Sequence, residues 1–547
     1  MRSTLIKMRS VKLKCFILTV IILSVYLFIF YVLLDIWFFQ KKNGLMSSIV
    51  LSNVIVHIDF KGSPPKLSYL ESLLPILKSH GVNGLLMEYE DMFPYEGKLI
   101  NISAKNAYGR SELQKFIIAA TNMEFEIIPL VQTFGHLEHV LKLQEFQHLR
   151  EMPLYPDSIC PTKEESRNLL KDMLRQIIFF HNSISELKYI HIGCDEVYHI
   201  NKCKQCAKEK LGNNDLFVNH VNLISEIVKL LSPATVVLIW DDMLREIKPM
   251  EWEDFDNFVQ TEPVYWDYKP NLAVSHLNLL KYRKKFDNIW IASAFKGADG
   301  PIATIPNLKN RFMNHFSWLN LILDYKFGGD DKVYNFKGII LTGWSRYNHM
   351  DPPCELLPLA LPSLILNLLL IKKFQSGIVV DDDETSLGVD GFFAKHLDTE
   401  FNQSLKCKHI GIENMDYSSC TLHSLELYTI LERYRHTTEN IESHFYNDKI
   451  GLKSIEYYSK QGYVNINNVR RHMKWSNETL YELIDIEKML YGTMLKYYDR
   501  EFTKEYVNFK TYANKKRLKE LYKTLRAYTK PRHWPRRPAK SLFVALK

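Results

Sequence analysis

Away from its two ends, this 547-residue chain lacks any excess of positive charge. Seven Lys/Arg face one acid in residues 1–50 and fourteen face three acids in residues 501–547, which leaves the body of the chain at about −9 out of a total of +8. A nucleic-acid-binding core is therefore not expected. Cysteine is also sparse, with eight residues in all and seven beyond residue 34. Cys203-Lys204-Gln205-Cys206 has the spacing of half a zinc site, but no second CxxC or spaced His pair completes it. The spacing is read as a local or longer-range disulfide, and an odd seven leaves at least one thiol free or intermolecular. Neither a metal ion nor a cofactor is expected.

A signal-peptidase cleavage site is missing as well. Cys15 to Leu34 is a run of twenty residues in which only Thr19 and Ser24 are polar, enough to span a bilayer as a helix. Asp35-Ile36-Trp37-Phe38-Phe39 follows it where small residues would be needed for cleavage. Five basic residues precede the run and two follow it, so residues 1–14 are expected in the cytosol and the bulk of the chain in a lumen. The reading is a single-pass type II membrane protein, anchored through 15–34 with a stem at 35–52. Three sequons, at Asn101, Asn402 and Asn477, agree with that side of the membrane.

From residue 53, short β-branched runs alternate with helix-length amphipathic stretches. The candidate strands are 54–59, 84–89, 126–132, 189–193, 236–240, 258–266, 289–293 and 338–342. Their nearly continuous apolar content suits parallel strands buried on both faces. Helical patterns fall at 67–80, 111–122, 164–180, 216–231, 272–285 and 307–323. Eight such strands predict an α/β fold, a (β/α)₈ TIM barrel over 53–385. Residues 386–547 read as a helical C-terminal region of low specificity, ending in a basic, irregular tail.

Barrel enzymes build their sites at the C-terminal ends of the strands, and here those ends are loaded. They carry Asp59, then Glu88, Glu90 and Asp91, then Gln132 to His136, then Asp195-Glu196. Further round come Trp240-Asp241-Asp242, Tyr265-Trp266-Asp267 and Gly343-Trp344-Ser345-Arg346. Carboxylates beside indole rings suit a sugar, since acids bind hydroxyls and aromatic faces cover the apolar side of a pyranose.

His191-Ile192-Gly193-Cys194-Asp195-Glu196 resembles the His-x-Gly-x-Asp-Glu signature of glycoside hydrolase family 20. The stretches Asp59–Lys66, Glu88–Gly97, Pro129–His136, Trp240–Arg245, Ala292–Gly297 and Leu341–Trp344 are similar to its hexosaminidase D branch, over roughly residues 53–370. The resemblance implies an exo-acting, retaining β-N-acetylhexosaminidase acting on terminal β-linked GalNAc or GlcNAc of glycoconjugates. It makes Glu196 the general acid/base and Asp195 the residue that steadies the acetamido nitrogen. His136 becomes a rim histidine, and Trp240, Trp266 and Trp344 an aromatic box. Glu88, Glu90, Asp91, Asp59 and Asp242 become hydroxyl contacts or their supports. Partial burial and the neighbouring Asp195 are expected to raise the pKa of Glu196.

Two family positions differ. Lys61 stands nearest to where an arginine grips ring hydroxyls, and strand seven ends Ala294-Phe295-Lys296 without the usual tyrosine, leaving Tyr265 or Tyr268 to supply a phenol. That branch is regarded as soluble and nucleocytoplasmic, so the apolar run at 15–34 implies a Golgi-lumenal variant. A glycan-binding protein that lost catalysis is the competing reading, and the intact Asp195-Glu196 pair argues against it. A chitinase-like enzyme would need an Asp-x-x-Asp-x-Asp-x-Glu run that is missing here. The sequence is compatible with a homodimer.

Overall fold

The computed structural model describes Tyr26, Phe28–Leu33 and residues 51–538, apart from 256–257, 328–335, 377–387, 409, 414–415, 422–423 and 448–450. The run at 15–34 and the stem thus lie largely outside the described residues; Tyr26 and Phe28–Leu33 are helical and exposed. Among the described residues, Leu357–Gln375 is the helix long and apolar enough to cross a membrane, and most of it is buried within the fold.

Eight parallel strands close into a barrel. They are β1 (Asn53–Asp59), β2 (Gly84–Glu88), β3 (Glu126–Leu130), β6 (Tyr189–His191), β7 (Val236–Trp240), β8 (Thr261–Trp266), β9 (Ile289–Lys296) and β10 (Phe336–Gly343). β1 pairs with both β2 and β10, which completes the ring. All eight expected strands are present, and the six expected helices appear within a few residues of their predicted bounds. The largest difference is the helix before β9, which begins at His276 rather than Leu272. There the Asp267 carboxylate accepts from the Lys269 and Ala273 amides, holding the chain in a loop.

Side chains fill the barrel interior in layers. Tyr189, Glu262 and Trp290 close the N-terminal end, where the Trp290 indole donates to Glu262 at 2.6 Å and Tyr189 meets it edge-on. Ile55, Leu86, Ile128, Leu238 and Ile340 fill the middle. Trp240, Trp266 and Trp344 form the opposite end.

Three features were not read from the sequence. The β3 connection carries an antiparallel hairpin, β4 (Arg150–Met152) and β5 (Tyr155–Ile159). Leu357–Gln375 is apolar all round because it is enclosed on every side, which hides the helical period. The packing of the C-terminal helices Leu425–Asn447, Ile466–Met494 and Arg500–Ala527 is the third: Leu490, Met494, Tyr498, Phe502 and Tyr506 share one apolar core with the barrel's outer layer.

The cysteines also depart from expectation. Cys203 and Cys206 are not disulfide-bonded, and the bridge among the described residues joins Cys407 to Cys420. Of the sequon asparagines, Asn101 is exposed. Asn402 is buried with its amide hydrogen-bonded to Asp398 and Ile410, so that site is closed to a glycan in the folded chain.

Leu86 is wholly buried in the middle layer, whereas Leu230 is 80% exposed. Leu86→Ala should cost about 2–5 kcal/mol and Leu230→Ala about 0.5 kcal/mol or less in urea unfolding. Equal effects would contradict this layer assignment.

Candidate active site

The backbone leaving β6 builds the centre of the site. The His191 ring is buried, and burial lowers its pKa to about 3, so it is neutral and its Nδ1 accepts the Gly193 amide at 3.0 Å. The chain then passes through left-handed conformations at Gly193 (φ 67°), Cys194 (φ 68°) and Glu196 (φ 47°). Side chains rarely adopt these values, and such strain is typical of positions fixed by their surroundings. A Cβ on Gly193 would come within 1.9 Å of the Gln132 side chain. A Cβ on Gly135 would come within 2.3 Å of the Asp195 carbonyl, so the loop after β3 lies directly on the Asp195-Glu196 turn.

That close approach brings in His136, itself at φ 50°. Its Nε2 lies 3.2 Å from Glu196 Oε2 and 3.6 Å from Asp195 Oδ2. Burial works against a charge on the ring, but Asp195 and the hydrogen bond to Glu196 outweigh it and raise the pKa to about 10. Asp195 is buried, and burial holds its carboxyl above the usual range despite His136; its Oδ1 has no protein partner. Glu196 runs opposite to expectation. The His136 hydrogen bond holds it below its ordinary value, because its side chain is 37% exposed and burial is too weak to prevail.

These residues line a cavity of about 810 Å³ at the C-terminal end of the barrel, together with Trp240, Trp266 and Trp344. The Trp240 and Trp344 indole nitrogens have no protein acceptor. The remaining expected residues stand behind the wall. Asp242 binds the Glu196 amide through one oxygen (2.8 Å) and the Trp266 indole through the other (3.2 Å). Burial and Asp195 push its pKa up to about 7.

Glu88 lies beneath the floor. Burial opposes its charge, but Lys61 and the His57 hydrogen bond (3.1 Å) prevail and lower it to about 2. It supports Lys61 and Gln132, which do reach the cavity. Asp59 accepts the amides of Lys61 and Ser345. Glu90 and Asp91 bind His349 at 2.8 and 3.4 Å, and Asp91 also binds Lys142. Tyr265 is a correction: it faces the outer layer against Tyr282 and Trp318, whereas Tyr268, three residues on, lines the cavity.

Asp267, Asp299, Asn310, Arg311, Arg346 and Tyr347 also line the cavity. Asp267 and Arg346 follow strand ends and were within reach of the strand-end rule. Asn310 and Arg311 come from the start of helix Leu308–Phe327 and carry no such signal.

No family model matches the chain. Over 326 residues it is 42% identical to hexosaminidase D of Homo sapiens, an alignment that takes in 58% of this chain and 65% of the human one. Over 321 residues it is 40% identical to hexosaminidase D of Bos taurus, taking in 57% of this chain and 90% of the bovine one. The chain belongs to the hexosaminidase D family. Among solved structures it is similar to a β-N-acetylhexosaminidase from Bacteroides fragilis, with a TM-score of 0.46 and 15% identity over 65% of this chain and 71% of that one. A Streptomyces plicatus N-acetyl-β-hexosaminidase gives a TM-score of 0.43 and 12% identity over 65% and 69%. In this hexosaminidase D family member the Asp195-Glu196 turn and the indole-walled cavity stand at one end of the barrel.

The His136 environment makes a direct prediction. By NMR of labelled histidine, the ring should remain protonated at about pH 8 and become neutral there in the Asp195→Asn, Glu196→Gln double variant. A wild-type ring titrating near its ordinary value of about 6.5 would contradict this geometry.

Proposed function

We propose that the chain is an exo-acting retaining β-N-acetylhexosaminidase that removes terminal β-linked GalNAc or GlcNAc from glycoconjugates. The observation that carries this reading is the buried Asp195 Oδ1, unpartnered beside Glu196 in a cavity walled by three indoles. A retaining glycosidase ordinarily needs a second carboxylate about 5 Å from the acid, free to attack the anomeric carbon. Here the other candidates are engaged. Asp242 is held by the Glu196 amide and Trp266, Asp267 by two loop amides and Asp299 by Arg311, while Glu90 binds His349 and does not line the cavity.

Substrate assistance removes that need, since the 2-acetamido oxygen itself attacks the anomeric carbon and forms an oxazolinium ion. Asp195 Oδ1 then accepts the acetamido N–H and stabilises its growing positive charge. Glu196 protonates the leaving oxygen and afterwards takes a proton from water. A bound aglycone covers the exposed Glu196 carboxyl, and that loss of solvent raises its pKa toward the protonated form the first step requires. Tyr268 and the unpartnered indole N–H groups are donors for the acetamido carbonyl and ring oxygens, and Lys61 for a hydroxyl.

Turnover of chromogenic aryl β-N-acetylgalactosaminide and its gluco epimer tests the activity. Binding of both without turnover of either would make the chain a glycan-binding protein. Glu196→Gln should lose about 10²–10⁴-fold in kcat, least with leaving groups that need no proton. Trp344→Ala should lose about two to four orders of magnitude in kcat/KM, roughly 3–5 kcal/mol. An effect under about tenfold in a folded variant would remove Trp344 from the site.

The pH profile has a definite sign. Glu196 acts protonated and is held low in the free enzyme, so kcat/KM should fall as pH rises through the acidic range. His136→Asn removes the interaction that lowers Glu196, so the alkaline limb should move to higher pH. A limb that stays in place would assign it to another group.

For location, we propose a type II orientation with the catalytic body in the Golgi lumen. The basic flank before Cys15 and the Cys407–Cys420 disulfide support that side of the membrane. In sealed microsomes the body should resist protease until detergent is added; digestion without detergent would reverse the orientation.

A further inference from the structure

A group of thiols lies outside the sugar cavity, where β5 ends against the segment that follows Glu196. Cys160 Sγ is 3.3 Å from Cys203 Sγ and 3.5 Å from Cys206 Sγ, while Cys206 Sγ is 3.4 Å from Glu151 Oε2. These four donor atoms all fall within 4.8 Å of one another. A disulfide needs about 2.05 Å, whereas a tetrahedral zinc with Zn–S bonds of about 2.3 Å has edges of about 3.8 Å. We propose that Glu151, Cys160, Cys203 and Cys206 form a structural zinc site that fastens the segment after Glu196 to the β4–β5 hairpin.

Charge favours a cation here. Glu151 is 1% exposed, and the partners of its carboxylate among the described residues are the Lys202 and Cys203 amides and the Cys206 thiol, none of them a cation. A disulfide between two of the thiols would leave the third thiol without a covalent partner and that carboxylate without a neighbouring cation. Zn²⁺ takes the carboxylate and three thiolates as ligands, releasing the three thiol protons to solvent. Three sulfurs and one oxygen fill a tetrahedron without an open position, which suits a structural rather than a catalytic zinc.

The surrounding groups orient these ligands. Glu151 Oε1 accepts the Lys202 and Cys203 amides at 2.5 and 3.0 Å, leaving Oε2 toward the thiols. The Cys206 amide donates to Cys203 Sγ at 3.3 Å, and the Thr162 hydroxyl lies 3.3 Å from Cys160 Sγ and 3.4 Å from Cys206 Sγ.

The site acts on position. Asp157 of the hairpin binds His199 at 2.8 Å, Tyr155 stacks on the same ring at 4.3 Å, and the Asp157 carbonyl accepts the Leu137 amide beside His136. The hairpin therefore touches both segments that carry the His136–Glu196 contact, and the metal ties one of them down.

The test uses the full chain purified in detergent, with zinc measured by mass spectrometry and thiols by alkylation under denaturing conditions. About one zinc per chain is expected, with Cys160, Cys203 and Cys206 all alkylated as free thiols once a chelator is present. Cobalt exchanged into the site should give the thiolate charge-transfer and visible bands of a tetrahedral centre. Glu151→Gln should lose zinc to a chelator at least about tenfold faster than the wild type. Metal-free protein with a disulfide among the three cysteines overturns the proposal, as does full zinc retention in a Cys160→Ser, Cys206→Ser variant. None of these readouts depends on turnover, so an inactive protein that binds zinc would contradict the proposed activity and leave this site standing.

Discussion

One imidazole holds two carboxylates at the C-terminal end of the barrel, and most of the surrounding structure follows from that. Three ionisable groups in so confined a space are stable only if they share charge, which is why His136 is pushed up while Glu196 is pulled down. The contact also dictates the backbone. His136 and Glu196 both sit in the left-handed region, and Gly135 is packed so tightly on the Asp195 carbonyl that any side chain there would separate the two loops. The conformational cost falls on the residues that face the cavity, while regular barrel pairing below them absorbs it.

Around this centre, buried supports hold the groups that reach the cavity. His57 accepts the Gly343 amide through Nδ1, which leaves Nε2 to donate to Glu88; Glu88 in turn steadies Lys61 and Gln132. The C-terminal helices take part as well. Glu505 binds the Arg346 guanidinium, whose other N–H groups hold the carbonyls of Lys61 and Gly62. A region that reads as an accessory from composition therefore braces the cavity wall from outside.

How much of this was legible depends on whether the signal is local. The strands could be read because a doubly buried strand is a continuous apolar run, and the Asp195-Glu196 turn because its residues are consecutive. Side-chain parity was harder. Tyr265 and Trp266 are neighbours on β8, yet one points to the outer layer and the other into the cavity, and a list of strand-end residues does not say which. The direction of the Glu196 shift was not readable, because its cause is a histidine sixty positions earlier brought in by a glycine contact. The thiol cluster was hidden for the same reason, since Cys160 lies 43 residues before Cys203 and joins it only through the hairpin. Helix Leu357–Gln375 lost its period because burial on all sides leaves no polar face.

In the proposed mechanism the acetamido group of the substrate, steadied by Asp195, replaces an enzyme nucleophile. The most direct measurement is the single-turnover rate of an aryl β-N-acetylhexosaminide against the same glycoside with a hydroxyl in place of the 2-acetamido group. Cleavage of the second should fall by about 10³-fold or more even when it is bound at saturation. Comparable rates for the two would contradict it and require a carboxylate nucleophile within the cavity.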